Sequence, residues 1–180
     1  MKFICEGIDL SDAVMKVVKA CSTKTTNPIL ETVRIAAEND SVTLLATDGE
    51  IAMMKKIRAD VHEEGAVCVP GRFFADFVKR LEGEQITISS ENDSIRIHYA
   101  DSQSCMQTLS ADDFPAIDFS IDENSVEILS KDLKELIAKT TFCCAQDDSR
   151  PVLKGCLIKT ENGGISFTAL DGYRMAVCRK

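Results

Sequence analysis

The sequence predicts an antiparallel α+β fold built as a tandem repeat. Three observations carry this reading. Apolar residues switch along the chain between a helical period and a period of two, turn residues sit at the joints, and the chain matches itself without gaps at an offset of 123 residues.

The elements follow in order. Lys2–Glu6 is a strand candidate. In Asp9–Cys21 the residues Leu10, Ala13, Val14, Val17, Val18 and Cys21 share one face of an amphipathic helix, with Asp9 as the expected N-cap. Strands are expected over Val33–Glu38 and Ser41–Thr47, joined at Asn39-Asp40, and over Ile51–Ala59 and Ala66–Val69. Pro70-Gly71 opens a second helix with the stripe Phe73, Phe74, Phe77, Val78 and Leu81, stopped by Gly83. Gln85–Ser89 and Ser94–Tyr99 form a hairpin through Glu91-Asn92-Asp93, and Ser104–Ser110 supplies a last strand. Phe114-Pro115 closes a first domain expected over 1–118, with two helices on one side of its sheets. The polar, acidic stretch 119–124 reads as a linker. A third helix, from about Ser130 to Thr141, is expected to bury Leu133, Leu136, Ile137 and Thr140.

The offset aligns that third helix with the first. Asp9-Leu10 falls on Asp132-Leu133, Pro28-Ile29-Leu30 on Pro151-Val152-Leu153, and Ala46-Thr47-Asp48-Gly49 on Ala169-Leu170-Asp171-Gly172. The turn Asn39-Asp40 falls on Asn162-Gly163. A match through helix, loop, hairpin and turn predicts that 125–180 repeats the fold of 2–57. The second copy then lacks the counterparts of Ala66–Phe114, so the sequence is expected to be part of a longer protein.

Composition narrows the functional classes. Hydrophobic residues make up 44% and charged residues 28%, an ordinary globular balance. No apolar run approaches the roughly 18–20 residues that span a bilayer, and the N-terminus lacks the pattern of a signal peptide. A cytoplasmic protein without a membrane partner is expected. The net charge of −8 argues against holding DNA by bulk attraction, although basic residues gather on the helices. These are Lys16 and Lys19, with Lys24 in the following loop, then Arg72, Lys79 and Arg80, and Lys131, Lys134 and Lys139. A shared basic face of this kind can touch phosphates without reading bases.

Eight cysteines and two histidines invite a chemical reading. No C-x-x-C pair occurs, so neither a zinc site nor any cofactor is expected. No phosphate-binding glycine loop is present, and neither His62, expected in a polar loop, nor His98, on the polar side of a strand, has a nucleophile beside it. The adjacent Cys143 and Cys144 read as two buried packing thiols. A cytosolic thiol-dependent enzyme is the alternative that they leave open.

Several runs carry a resemblance: Met1-Lys2-Phe3, Asn27-Pro28-Ile29-Leu30, Val69-Pro70-Gly71-Arg72-Phe73-Phe74, Ala111-Asp112-Asp113-Phe114-Pro115, Ser149-Arg150-Pro151-Val152-Leu153-Lys154-Gly155 and Ala169-Leu170-Asp171-Gly172-Tyr173-Arg174-Met175-Ala176-Val177. In this order and spacing the chain resembles the bacterial DNA sliding clamps, the beta subunits of DNA polymerase III. The resemblance implies a clamp fold with sheets outside and two helices per domain on the inner face. It implies a non-enzymatic processivity factor, a head-to-tail homodimer ring around double-stranded DNA, and short hydrophobic peptides through which polymerases and the clamp loader bind. Lys24 and the loop Gln146–Arg150 then resemble DNA-touching elements, completing a set of Lys16, Lys19, Lys24, Arg72, Lys79, Arg80, Lys134, Lys139, Gln146 and Arg150. Leu153, Leu170, Gly172, Tyr173, Arg174 and Met175 resemble one wall of the peptide cleft, with Leu170 where a threonine is common. Ser104, Met106 and Thr108 resemble the edge that meets the partner subunit.

Overall fold

The computed structural model describes residues 1–81, 83–120, 126–147, 149–161 and 163–180. The chain divides into two compact units, Met1–Asp118 and Phe119–Lys180. Most of the expected linker, 121–124, lies outside the described residues, as does Asn162 of the second hairpin turn.

Unit 1 holds two five-stranded antiparallel sheets and two helices. Its strands are β1 (Lys2–Glu6), β2 (Thr32–Glu38), β3 (Ser41–Thr47), β4 (Ala52–Arg58), β5 (Asp60–Glu63), β6 (Gly65–Pro70), β7 (Gln85–Glu91), β8 (Ser94–Tyr99), β9 (Ser102–Gln107) and β10 (Leu109–Ser110). The helices are α1 (Gly7–Val17) and α2 (Gly71–Val78), each ending in a short 3-10 turn. One sheet runs β5-β1-β7-β8-β9 and the other β10-β6-β2-β3-β4. Their apolar faces and both helices share one core. Phe3, Leu10, Val14, Ile35, Leu44, Phe74, Ile86, Ile88, Ile95 and Ile97 are all fully buried in it. Period two explains the division within β8, where Ile95 and Ile97 point inward while Arg96 and His98 stay exposed.

Unit 2 contains α3 (Ser130–Thr140) and the antiparallel sheet β11 (Leu157–Glu161), β12 (Gly164–Leu170) and β13 (Met175–Arg179). Shifted by 123 residues, α1 falls on α3, β3 on β12, and the 3-10 turn Pro28–Glu31 on Pro151–Lys154. The strand register shifts equally: Ile35 pairs with Leu44 and Ile158 with Phe167, while Ala46 pairs with Met53 and Ala169 with Ala176. Even the helix ion pair Asp12–Lys16 has its counterpart in Glu135–Lys139, each at 2.6 Å.

Five sequence expectations need correction. The N-cap of α1 is Glu6, without a side-chain cap, because the Gly7 amide donates directly to the Glu84 carbonyl at 2.8 Å; Asp9 lies in the first turn. Phe73 is 66% exposed, since the buried stripe runs through Phe74, Ala75 and Val78 of α2 and on to Leu81 in the 3-10 turn after it. In α3 only Leu136 and Thr140 are buried, while Leu133 is half-buried and Ile137 exposed; among the described residues unit 2 has no second α-helix to cover them. His62 lies on β5, not in a loop. The last expected strand is two, β9 and β10, in different sheets: between them Thr108 donates its amide to the Asp93 carbonyl at 2.8 Å and breaks the run.

Candidate functional site

The loop from β12 to β13 builds the site from the backbone outward. Gly172 adopts φ +94°, a left-handed conformation that L side chains rarely take, so the chain turns sharply after Asp171. The Asp171 carboxylate accepts from the Tyr173 and Arg174 amides at 2.9 and 3.0 Å, and from Arg174 Nε at 2.9 Å. These bonds, the Tyr173 amide foremost, hold its carboxyl below the usual carboxylate range. The turn pushes the Tyr173 ring outward, 99% exposed.

Beside the turn lies a cavity of about 320 Å³ lined by Ala145, Asp147, Ser149, Arg150, Leu153, Asp171, Gly172 and Tyr173. It brings together Leu153, Gly172 and Tyr173 of the expected cleft, and adds Arg150, which the sequence grouped with the DNA face. Its floor is fixed where the Ala145 amide donates to the Leu153 carbonyl at 2.9 Å. Leu170 and Met175 do not line it. They are cross-strand partners on the outward face of the sheet, where Thr168 pairs with both Leu157 and Val177. Leu157, Leu170, Met175 and Val177 thus leave an exposed apolar strip beside the turn. Sequence reasoning missed Leu157 and Val177, the second of which the alternation Met175–Val177 could have indicated. It also missed Phe142, over whose ring the Arg174 guanidinium sits at 5.8 Å.

The basic residues are exposed as expected, but not uniformly unpaired. Lys16 and Lys139 are held by acids one turn earlier on their own helices. Exposed i,i+4 pairs of this kind contribute little to stability, so both ammonium groups remain open to exchange of partners. Lys19, Lys24, Arg72, Lys79, Arg80 and Lys134 are exposed, as are Gln146 and Arg150 on the loop after α3.

At the expected partner edge, β9 is the last strand of its sheet. Met106 is only 7% exposed and packs into the core, because inward positions alternate along β9. Ser104 and Thr108 are half-buried, and the Thr108 amide is already occupied.

Four of the eight thiols are held away from the reactive, ionised form. Burial pushes Cys5 up to about 12 and Cys21 and Cys68 to about 11, and burial raises Cys144 as well, which disfavours the nucleophilic thiolate. Of the adjacent pair, Cys143 is buried but Cys144 is only half-buried.

Fold and site together define a repeated α+β module with a polar-lined cavity, an exposed apolar strip beside it and exposed basic residues on its helices. The chain belongs to the DNA polymerase III beta subunit family: residues 1–118 match the family's N-terminal domain and 127–180 its central domain. It is 34% identical to the beta sliding clamp of Proteus mirabilis over 180 residues, covering 99% of this chain and 49% of that protein. With the beta sliding clamp of Bacillus subtilis it shares 28% over 186 residues, 98% of this chain and 49% of the relative. The solved DNA polymerase III subunit beta from Pseudomonas aeruginosa superposes with a TM-score of 0.94 at 28% identity, over 100% of this chain and 50% of that one. A Bartonella birtlesii clamp bound to griselimycin gives 0.93 at 25%, again over 100% and 50%. The chain therefore spans about half the length of these relatives.

Proposed function

We propose that this chain is the N-terminal portion of a DNA sliding clamp, a non-enzymatic processivity factor that encircles duplex DNA and tethers polymerases. On this reading 1–118 is a complete clamp domain, 119–124 a linker, and 125–180 the first half of a second domain in a longer subunit. The observation that carries it is the family match across both units, in which the same elements recur at one constant offset.

The net charge of −8 on this chain favours a topological hold over bulk attraction, since the chain carries the same sign as DNA. Lys16, Lys19, Lys24, Arg72, Lys79, Arg80, Lys134, Lys139, Gln146 and Arg150 would face the duplex and meet phosphates without reading sequence. The outer edge of β9, with Ser104 and Thr108, would meet a partner subunit head to tail through its backbone. The Met106 side chain would support that edge from within the core. The cleft formed by Leu153, Leu170, Gly172, Tyr173, Arg174 and Met175 would take hydrophobic peptides of polymerases and the clamp loader, its other wall coming from outside this chain.

Retention on DNA tests the reading. Loaded onto a nicked circle, the longer subunit should stay bound through a salt wash and be lost once the circle is cut. Equal retention on circular and linear DNA would refute an encircling clamp.

A further inference from the structure

The Asp171–Gly172 turn carries a side-chain clamp that its counterpart in unit 1 lacks. Arg174 donates Nε to Asp171 Oδ2 at 2.9 Å and Nη2 to the Phe142 carbonyl at 2.9 Å, and its guanidinium lies 5.8 Å from the centre of the Phe142 ring. Phe142 stands in the 3-10 turn that follows α3, so these contacts tie the end of a helix to the tip of a hairpin 32 residues later. In unit 1 the same positions hold Lys19 and Ile51. There Asp48 accepts from the Glu50 and Ile51 amides, both at 2.9 Å, and among the described residues no side-chain hydrogen bond, ion pair or cation–π contact joins turn to helix. The backbone turn forms without the clamp, so the clamp serves something other than turn formation.

We propose that Arg174 is a positioning residue: with Phe142 it fixes the hairpin tip so that Tyr173 and Gly172 present one geometry to a bound hydrophobic peptide. This rests on the cleft reading above. Two of the five guanidinium N–H groups are committed to Asp171 and Phe142, and one face lies against an aromatic ring. Arg174 is thereby engaged within the fold before any peptide arrives. Tyr173, fully exposed, has no such support of its own and depends on the tip's orientation. Holding a binding group in place before the ligand arrives reduces the ordering cost of association.

The test measures capture of a fluorescein-labelled Leu/Phe-rich peptide by the longer subunit. Arg174→Ala should weaken capture about tenfold. Phe142→Leu keeps apolar volume but loses the ring face, and should weaken capture about two- to fivefold. Phe142→Tyr should restore it. Arg174→Lys should not, because an ammonium cannot reproduce the planar fork. In the double variant Phe142→Leu should add nothing to Arg174→Ala, since both act through one contact. Additive losses, or a loss at Arg174 with none at Phe142, would overturn the proposal by making Arg174 a direct anchor. Capture indifferent to Leu153→Ala and Tyr173→Ala would instead refute the cleft itself, and the positioning role with it.

Discussion

Ile35 and Ile158 occupy corresponding positions in the two units, one fully buried and the other 55% exposed. Val14 and Ile137 differ in the same way, 0% against 42%. Yet strand register, helix limits and turn geometry agree between the units at a shift of 123 residues. The difference lies in the neighbours. β2 is flanked by both β3 and β6, and α1 packs on α2, whereas among the described residues β11 pairs only with β12 and unit 2 holds α3 as its single α-helix. Local pattern therefore sets the elements, and packing partners decide how far their apolar faces leave water.

The largest expected effect follows from this contrast. Ile35→Ala should cost unit 1 about 2–5 kcal/mol in urea unfolding, because it opens a cavity in a closed core. Ile158→Ala in this chain should cost less than about 1 kcal/mol, because the side chain is already half in solvent. Equal losses would mean that β11 is covered as fully as β2.

Backbone equivalence at the turns makes a second, smaller prediction. Gly49 and Gly172 have φ of +97° and +94°, with no atom within 4 Å of the place a β-carbon would take, so a side chain there meets strain without collision. Gly49→Ala and Gly172→Ala should each destabilise by about 1–2 kcal/mol, and by similar amounts. Unequal costs, measured by thermal unfolding, would show that the turns are not equivalent.

The side chains on those turns differ, and here the prediction concerns binding. In the longer subunit Tyr173→Ala and Met175→Ala should each weaken peptide capture by about 1–2 kcal/mol, as truncation of an exposed anchor does. Glu50→Ala, at the position in unit 1 that corresponds to Tyr173, should leave it unchanged. Calorimetric titration distinguishes the two.

Much of this was legible in the sequence, for a physical reason. Periods of 3.6 and two are written into residue spacing, so α1, the β7–β8 hairpin and the offset could be read directly. What escaped depends on contacts distant in sequence. Phe73 satisfies the helical pattern yet points to solvent, and Asp9 has a capping residue's chemistry but lies past a helix start fixed by the Glu84 carbonyl. At the site, the Asp-Gly turn was visible, while the Phe142–Arg174 contact was not, since no local spacing encodes it.

The smallest effect concerns the thiols. Burial raises Cys5, Cys21 and Cys68 of unit 1 above the ordinary value of 9.0, to between about 11 and 12. A raised folded value means that the neutral buried thiols contribute stability in full below pH 9. That contribution falls away progressively as pH rises from about 9 and is gone once pH passes the folded values of about 11 to 12. The urea midpoint of unit 1 should therefore fall over that window. Half-buried Cys144 should also alkylate faster than its buried counterpart Cys21; the reverse order would contradict the difference in packing between the units.

The most direct test moves one turn's side chains onto the other. Replacing Tyr173, Arg174 and Met175 in the longer subunit by the residues of unit 1, through Tyr173→Glu, Arg174→Ile and Met175→Ala, keeps a backbone that already accepts this tripeptide at Glu50-Ile51-Ala52. Peptide capture is then measured by fluorescence anisotropy, with circular dichroism as the control for folding. A binding site built on a repeated fold predicts an unchanged spectrum and capture weakened by at least about tenfold. Undiminished capture by the folded variant would contradict it.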